Sequence, residues 1–529
     1  MYKSLRLSVL TRILDDGALL RTVKAKGVET IRSYSGTVEK ESQSATVIEP
    51  FSDFMTSRFQ QARRTILVEV HTLEFYNRLV AFCTKCVPIE NIFLGENGYG
   101  RRKMALIEMK DDEARNAFLD VIVDNKFGQK ILSPFLAANS KKLPILSPSD
   151  QEKFMKPEKI INLKPIKAFN WKEKDANSIF WNFYYQHKIN EMSLRLRFLV
   201  AVQFQNVLNG WLDNCDVFPF GGSINGFGEL HSDLDLSLIV NEYNWTRAVR
   251  LLTVPSERQE IFMLLSYLLK NWLPGCERVD PRAKAKVPVI AFYHHHVDFN
   301  CDLSINAPSC IRFSEVLYII GNNYRLVRPM VMVIKNWART VKLNLPESPV
   351  REVSNFTFLS LIVFFLQQKR NGLKETIPPF NIFPTGKNMF FTLHENESII
   401  KIINDTRTSS DADEDRLDDA IYKFFCFYAD LNFKLLGLSL WTGKFMENHK
   451  CIPMYIENPF DPSANIARSM TERRVGKLKD YMRTAKETYE RNGRFTREFT
   501  SLIYDRQQSE SELQTDIIDN YDLRMKNEE

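Results

Sequence analysis

The sequence lacks the long apolar segments that cross membranes. No run of about eighteen apolar residues occurs among its 529 residues, so it predicts no membrane-spanning helix. Cysteine is also sparse, with 8 residues scattered over the chain, which excludes a small disulfide-stapled domain and is typical of free thiols. Cys83 and Cys86 have zinc-ligand spacing, but they lie in an apolar helical pattern without a second close pair, which favours core cysteines.

The net charge of the chain is also small, because its basic and acidic residues nearly balance. The formal charge of +6 is compatible with a polyanionic partner but does not require one. An apolar fraction of 44% excludes general disorder, and the length leaves room for about two to four domains. We therefore expect a globular, multidomain protein.

Acidic residues are missing from the N-terminal segment 1–14, where Lys3, Arg6 and Arg12 alternate with leucine, serine and threonine. This composition is typical of a mitochondrial transit peptide, and an ordinary amphipathic first helix is the alternative. We expect residues 1–49 to be a transit peptide with a polar, disordered lead, and the protein to act in the mitochondrial matrix.

The most informative stretch is 218–240, which reads FPFGGSINGFGELHSDLDLSLIV. In a strand, Asp233 and Asp235 would present their carboxylates on one face. Two adjacent carboxylates repel each other unless a cation lies between them, which predicts a hard divalent ion such as Mg²⁺. The turn Gly221–Ser223 offers backbone N–H groups and a hydroxyl to phosphates. An ordinary turn beside an exposed strand is the alternative.

A third carboxylate, Asp302, lies in a second strand pattern, VDFNCDLSIN. With Gly222 and Ser223, the three aspartates resemble the signature of the polymerase-β-like nucleotidyltransferase superfamily, and within it the template-independent poly(A) and poly(U) polymerases. The resemblance covers about residues 180–475 well. It implies an α+β fold, in which a nucleotidyltransferase palm is joined to a helical poly(A)-polymerase-associated (PAP-associated) domain.

The resemblance also implies two-metal nucleotidyl transfer with Mg²⁺ or Mn²⁺. One ion would be held by Asp233, Asp235 and Asp302 and would activate the RNA 3′-hydroxyl. A second ion, held by Asp233 and Asp235, would carry the triphosphate. Asp302 is the candidate to orient or deprotonate the attacking hydroxyl.

A helical pattern over 330–343 places Lys335 and Arg339 on one face, which predicts an anionic ligand or else a solvated basic face. The resemblance implies that both cations bind the β- and γ-phosphates, alongside Gly222 and Ser223.

The base is expected to meet the start of the next helix, where the resemblance implies contacts from Asn355 and stacking on Phe356; a core phenylalanine is the alternative. Segment 457–468, ENPFDPSANIAR, resembles the nucleotide-recognition motif of the family. Ala464 stands where uridylyl-specific relatives tend to carry histidine. Alanine leaves room for a purine, which favours ATP over UTP.

Residues 50–139 resemble an RNA-recognition-motif (RRM) domain in the order of their elements. Met104, Leu106 and Met109 stand where that motif uses aromatic rings, so phosphate contacts and packing or homodimerisation through an apolar sheet face are both open. The expected elements are strand Thr65 to Val70, helix Leu73 to Cys86, strand Ile92 to Leu94, strand Met104 to Met109 and helix Asp112 to Val123.

The remaining boundaries follow from composition. We expect a proline-rich linker at 140–176, the palm at 177–310 after one long helix (177–211) that packs on the helical domain, the helical domain at 311–475, and a charged helix and tail at 476–529. Lys284 and Lys286 could contact RNA or lie in a solvated loop. His294–His296 are adjacent in sequence and are expected to be exposed turn residues.

The function predicted is template-independent polyadenylation of RNA 3′ ends with ATP on mitochondrial RNA. A terminal uridylyltransferase, a non-catalytic RNA-binding or dimerising scaffold, and a small-molecule nucleotidyltransferase are the alternatives.

Overall fold

The computed structural model describes residues 49–70, 79–80, 88–96, 103–116, 135–136, 160–162, 175–209, 215–240, 255–285, 288–343, 353–374, 376–385, 390–406, 415–448, 452–492 and 495. The predicted transit peptide, Cys83, Cys86, Lys286 and the C-terminal tail lie outside these ranges. None of the described helices is long and apolar enough to span a membrane.

The small N-terminal domain contains a sheet whose first strand is preceded by a helix. Helix α1 (Phe51–Arg63) leads into β1 (Thr65–Glu69), and β3 (Lys103–Met109) pairs antiparallel with both β1 and β2 (Ile89–Glu96). The three predicted strands are confirmed, and a helical turn at 112–116 begins where the second helix was expected. Two short strands complete the order β4-β1-β3-β2-β5, namely β4 (Phe135–Leu136) and β5 (Ile160–Asn162).

Both faces of this small sheet are buried. Ile66, Val68 and Ile107 pack in a core of their own, whereas Leu67, Met104 and Leu106 join the main core of the chain. The face that an RNA-recognition motif would use for bases is therefore covered by the chain itself, which excludes base stacking there. Strand β5 corrects the predicted linker, because part of 140–176 pairs in parallel with β2.

The chain then enters the palm through two helices, α2 (Ala176–His187) and α3 (Glu191–Leu208), where one long helix was predicted. The break occurs because Asn190 caps α3, its side-chain oxygen accepting from the N–H of Ser193 at 2.8 Å. Helix α2 packs on the later helical domain, as expected.

The palm sheet has the order β6-β7-β10-β9-β8. Only β7 and β10 among these neighbours are parallel; the other pairs are antiparallel. His294 ends β9 and is wholly buried, its Nε2 lying 2.9 Å from Oε1 of Gln203, so its prediction as an exposed turn residue was wrong. The bounds of the palm elements are β6 (Cys215–Phe220), α4 (Gly222–Asn225), β7 (Leu234–Val240), α5 (Pro255–Trp272), β8 (Cys276–Arg282), β9 (Val289–His294) and β10 (Phe299–Ile305).

The C-terminal half is mainly helical, with a four-stranded sheet that the sequence did not predict. The sheet order is β12-β11-β13-β14, and helix Glu472–Asn492 packs on helix Leu417–Ala429, where the rings of Tyr422 and Tyr489 stack 4.0 Å apart. The bounds are α6 (Pro308–Asn323), α7 (Val327–Thr340), α8 (Asn355–Leu366), α9 (Leu393–Thr406), α10 (Leu417–Ala429), β11 (Leu436–Ser439), β12 (Lys444–Glu447), β13 (Ile456–Asn458), β14 (Asp461–Asn465) and α11 (Glu472–Asn492), with a 3₁₀ turn at Phe380–Ile382.

Candidate active site

The predicted aspartates meet where β7 and β10 run side by side. The parallel register places Asp302 opposite Asp235, while Leu234 and Leu236 are buried on the other side of β7. Asp233 is exposed, one residue before the strand begins. Alternation along the strands thus separates the carboxylates from the apolar core, as the sequence predicted.

Electrostatics make this corner suited to a cation. Burial, together with the neighbouring charges of Asp302 and Asp233, raises the pKa of Asp235 to about 7. A divalent ion would relieve the repulsion, and carboxylate oxygens are the donors that hard cations prefer. In the part of the chain that the structure describes, no three His, Cys, Asp or Glu side chains are already arranged as ligands of one ion.

The glycine turn lies directly against Asp235. Gly221 has a φ of 65°, and a Cβ there would stand 3.1 Å from Oδ2 of Asp235. Its N–H donates to Oγ of Ser314 at 2.7 Å, which ties the turn to α6. Ser223, predicted to contact phosphate, is buried, and its hydroxyl donates to the carbonyl of Asp233 at 3.2 Å.

Arg197, on α3, is a site residue that the sequence analysis missed. It is fully buried and donates to the carbonyl oxygens of Ser232 at 2.7 Å and Asp233 at 3.3 Å, beneath residues 226–233, here called the aspartate loop. Burial lowers its pKa to about 10, although the nearby Asp235 and Asp233 charges oppose this change. The signal in the sequence was an arginine within an apolar helical stripe.

The two cations predicted to bind phosphates lie together on α7, next to the aspartate loop. Lys335 is buried and Arg339 is partly buried, and both form ion pairs with Glu229 of that loop. Nη2 of Arg339 is 2.8 Å from Oε1 of Glu229. Burial would raise the pKa of Glu229, but the charges of Lys335 and Arg339 hold it at about 2. Glu229 was not among the residues predicted from the sequence.

The predicted base platform is an aromatic corner. Phe356, at the start of α8 beside the half-buried Asn355, keeps 37% of its surface exposed. Its ring meets that of Phe313 edge-on at 5.1 Å, and Phe313 meets Phe460 at 5.6 Å. Phe460 belongs to the segment 457–468, so this segment reaches the platform.

Two further residues predicted from the sequence, Ala464 and Lys284, lie in different parts of the structure. Ala464 lies half-buried on β14, in the segment that supplies Phe460. Lys284 is exposed in the turn after β8, which is the edge strand of the palm sheet and is separated from β10 by β9. Its contact with RNA stays a prediction.

The site combines a parallel strand pair with adjacent aspartates, a glycine turn at its edge and an attached helical domain. This is the arrangement expected from the resemblance to nucleotidyltransferases. Residues 177–322 match the family model described as "Poly(A) RNA polymerase, mitochondrial-like, central palm domain". The resemblance drawn from the motifs is thereby confirmed.

The wider chain is similar to proteins named "Poly(A) RNA polymerase, mitochondrial". It is 26% identical to that of Drosophila melanogaster over 82% of this chain and 75% of the relative. Against that of Homo sapiens the identity is 24% over 87% and 80%.

Solved structures show the same fold. A crystal structure of mtPAP in complex with ATPgammaS matches 86% of this chain and 99% of its own with a TM-score of 0.66 at 22% identity. One of mtPAP in complex with CTP matches the same shares with a TM-score of 0.69 at 21% identity.

Proposed function

We propose that this chain is a template-independent poly(A) RNA polymerase that transfers adenylate from ATP to RNA 3′ ends in the mitochondrial matrix. The observation that carries the proposal is the pairing of Asp235 with Asp302 across parallel strands beside the Gly221 turn. The relatives named mitochondrial poly(A) RNA polymerase support the substrate and the compartment.

Asp233, Asp235 and Asp302 would hold the divalent metal, Mg²⁺ or Mn²⁺. When bound, the metal would lower the pKa of the RNA 3′-hydroxyl and neutralise triphosphate charge. Asp302 would orient the attacking hydroxyl or accept its proton. Arg197 would keep Asp233 in position, because its guanidinium holds the backbone of the aspartate loop.

The nucleotide would lie between the glycine turn and the aromatic corner. Gly222, Lys335 and Arg339 would bind the phosphates, so that charge neutralisation and alignment supply most of the catalysis. Ser223 would join them only if its buried hydroxyl gave up the carbonyl of Asp233. Phe356 would stack on the base next to Asn355, and the small side chain of Ala464 would leave room for adenine. Lys284 and Lys286 are candidate RNA contacts.

Extension of a labelled oligo(A) primer tests this function, with a divalent ion and each of the four ribonucleotides separately. We expect long tails from ATP alone, and none from an Asp233→Ala, Asp235→Ala double variant. Asp280→Ala is the matched control, because Asp280 is exposed on β8 and pairs with Arg282. Preferential use of UTP would overturn the inference from Ala464 and indicate a uridylyltransferase. Absence of extension with every nucleotide would indicate a non-catalytic scaffold.

A homodimer through the N-terminal domain is the partner proposed besides RNA. It would use an edge of the small sheet, because both faces are buried within the chain. Sedimentation velocity measures the oligomeric state, and a monomer at micromolar concentration would contradict the dimer.

A further inference from the structure

Glu229 occupies the place where the proposed function needs a phosphate. Its carboxylate lies between Lys335, at 3.4 Å from Nζ to Oε1, and Arg339, at 2.8 Å from Nη2 to the same oxygen. The side chain is only 15% exposed, so water screens these charges little. The guanidinium presents two parallel N–H donors, a geometry that fits a carboxylate and a phosphate equally well.

We propose that Glu229 is a built-in anion that competes with the terminal phosphates of the nucleoside triphosphate for Lys335 and Arg339. The proposal rests on the proposed function, since it presumes that these cations receive the triphosphate. A carboxylate and a phosphate cannot share the same N–H donors, and at this distance they would repel each other. The triphosphate must therefore displace Glu229 before it binds both cations.

The backbone around Glu229 is anchored independently of its carboxylate. The N–H of Glu229 donates to Oγ of Ser232 at 2.8 Å, and the N–H of Leu230 donates to the carbonyl of His187 at 2.7 Å. The side chain can therefore rotate away from the two cations while the backbone of the aspartate loop stays in place up to Asp233. These backbone bonds also remain available in a Glu229→Gln variant.

The competition has two consequences. Apparent affinity for ATP is reduced by the fraction of time in which Glu229 holds the cations. After transfer, the return of Glu229 to the cations favours release of inorganic diphosphate, which occupies the same donors. AMP lacks the terminal phosphates, so its binding is insensitive to Glu229.

Calorimetric titration with ATP, inorganic diphosphate and AMP, in Mg²⁺ buffer without RNA, tests the competition. Relative to wild type, Glu229→Gln is expected to bind ATP and diphosphate about tenfold more tightly and AMP within about twofold. Glu191→Gln is the matched control, because Glu191 pairs with Arg58 and Arg195 away from the site. It is expected to leave all three affinities unchanged. Should Glu229→Gln fail to fold, Glu229→Asp has a shorter carboxylate that reaches both cations less well and should tighten ATP binding in the same direction.

The variant Lys335→Met distinguishes failure of this inference from failure of the proposed function. If Lys335→Met weakens ATP binding while Glu229→Gln weakens it or leaves it unchanged, Glu229 orients the cations, and the competition is wrong. An equal gain for AMP and ATP would also contradict it, because it would reveal a general change in charge. If Lys335→Met leaves ATP binding unchanged, the proposed phosphate site itself fails, and the competition fails with it.

Discussion

Arg197 and Glu229 each bring a charge into a nearly dry position beside the aspartates, and both act on the aspartate loop. Arg197 holds the loop from α3 through backbone carbonyls, and Glu229 joins it to α7 through an ion pair. Glu229 lies between the motif residues Ser223 and Asp233 but is not one of them, and Arg197 lies outside the stretch 218–240. A motif records only the spacing of its own residues along the chain. A contact between α3 or α7 and the loop depends on how distant segments pack, which spacing does not encode.

Phe356 offers a direct test of base binding. Removing the ring in Phe356→Ala should raise the KM for ATP by about 5- to 150-fold, since stacking contributes roughly 1–3 kcal/mol. Phe356→Tyr keeps the ring and serves as the control, with KM expected within about threefold of wild type. Steady-state primer extension measures both, and an unchanged KM for Phe356→Ala would place the base elsewhere.

Glu315, on α6, makes stability depend on pH. Burial raises its pKa from 4.5 to about 7, although the N–H of Phe391 and the charge of Arg312 oppose the rise. Between these two values the folded protein keeps a proton that the unfolded chain has lost, so stability falls as pH increases through that window. Glu315→Gln should therefore raise Tm by roughly 3 °C at pH 8.

At pH 4 the carboxyl is mostly protonated in both states, so the same substitution should change Tm much less than at pH 8. Thermal unfolding followed by circular dichroism at the two pH values checks the difference. A gain at pH 4 equal to that at pH 8 would mean that titration of Glu315 is not the cause.

Whole elements divide into those that local pattern predicts and those that it does not. Strands β1, β3, β7 and β10 alternate or form apolar runs, and their positions were predicted from that pattern. The break between α2 and α3 was missed because the cap by Asn190 interrupts an apolar periodicity that continues across it. Strand β5 and the sheet of the helical domain were missed because their strands are only three to five residues long, and such short strands form only through pairing with distant partners.

The close approach of the glycine turn to Asp235 can be tested by substituting Gly221. Gly221→Ala should lower primer extension at least about tenfold, because φ is 65° and the new Cβ would stand 3.1 Å from the Asp235 carboxylate. Gly372→Ala is the matched control, since φ is 76° there and the nearest atom belongs to Lys423. Both variants should lose about 1–2 kcal/mol of stability through backbone strain. Equal activity in the two variants would show that the turn does not need its close approach to Asp235.

Across the whole molecule, Glu108 of β3 links the small domain to the palm through ion pairs, in addition to the apolar core that the two domains share. Its side chain is 1% exposed and pairs with Arg64 at 2.7 Å and with Arg195 of α3 at 3.0 Å. Arg195 also lies over the ring of Phe93, at 4.0 Å from its centroid. A buried ion pair at this junction fixes one arrangement of the two domains, so we expect them to unfold together.

Glu108→Gln should therefore cost about 3–5 kcal/mol, because it leaves a buried arginine without its full counter-charge. Glu191→Gln removes a more exposed partner of the same Arg195, at 34% exposure, and should cost less than about 1 kcal/mol. In scanning calorimetry, wild type should show one transition and Glu108→Gln an earlier partial one from the small domain. Two separate transitions in the wild type would contradict this coupling, since they would show that the small domain unfolds without disturbing the palm.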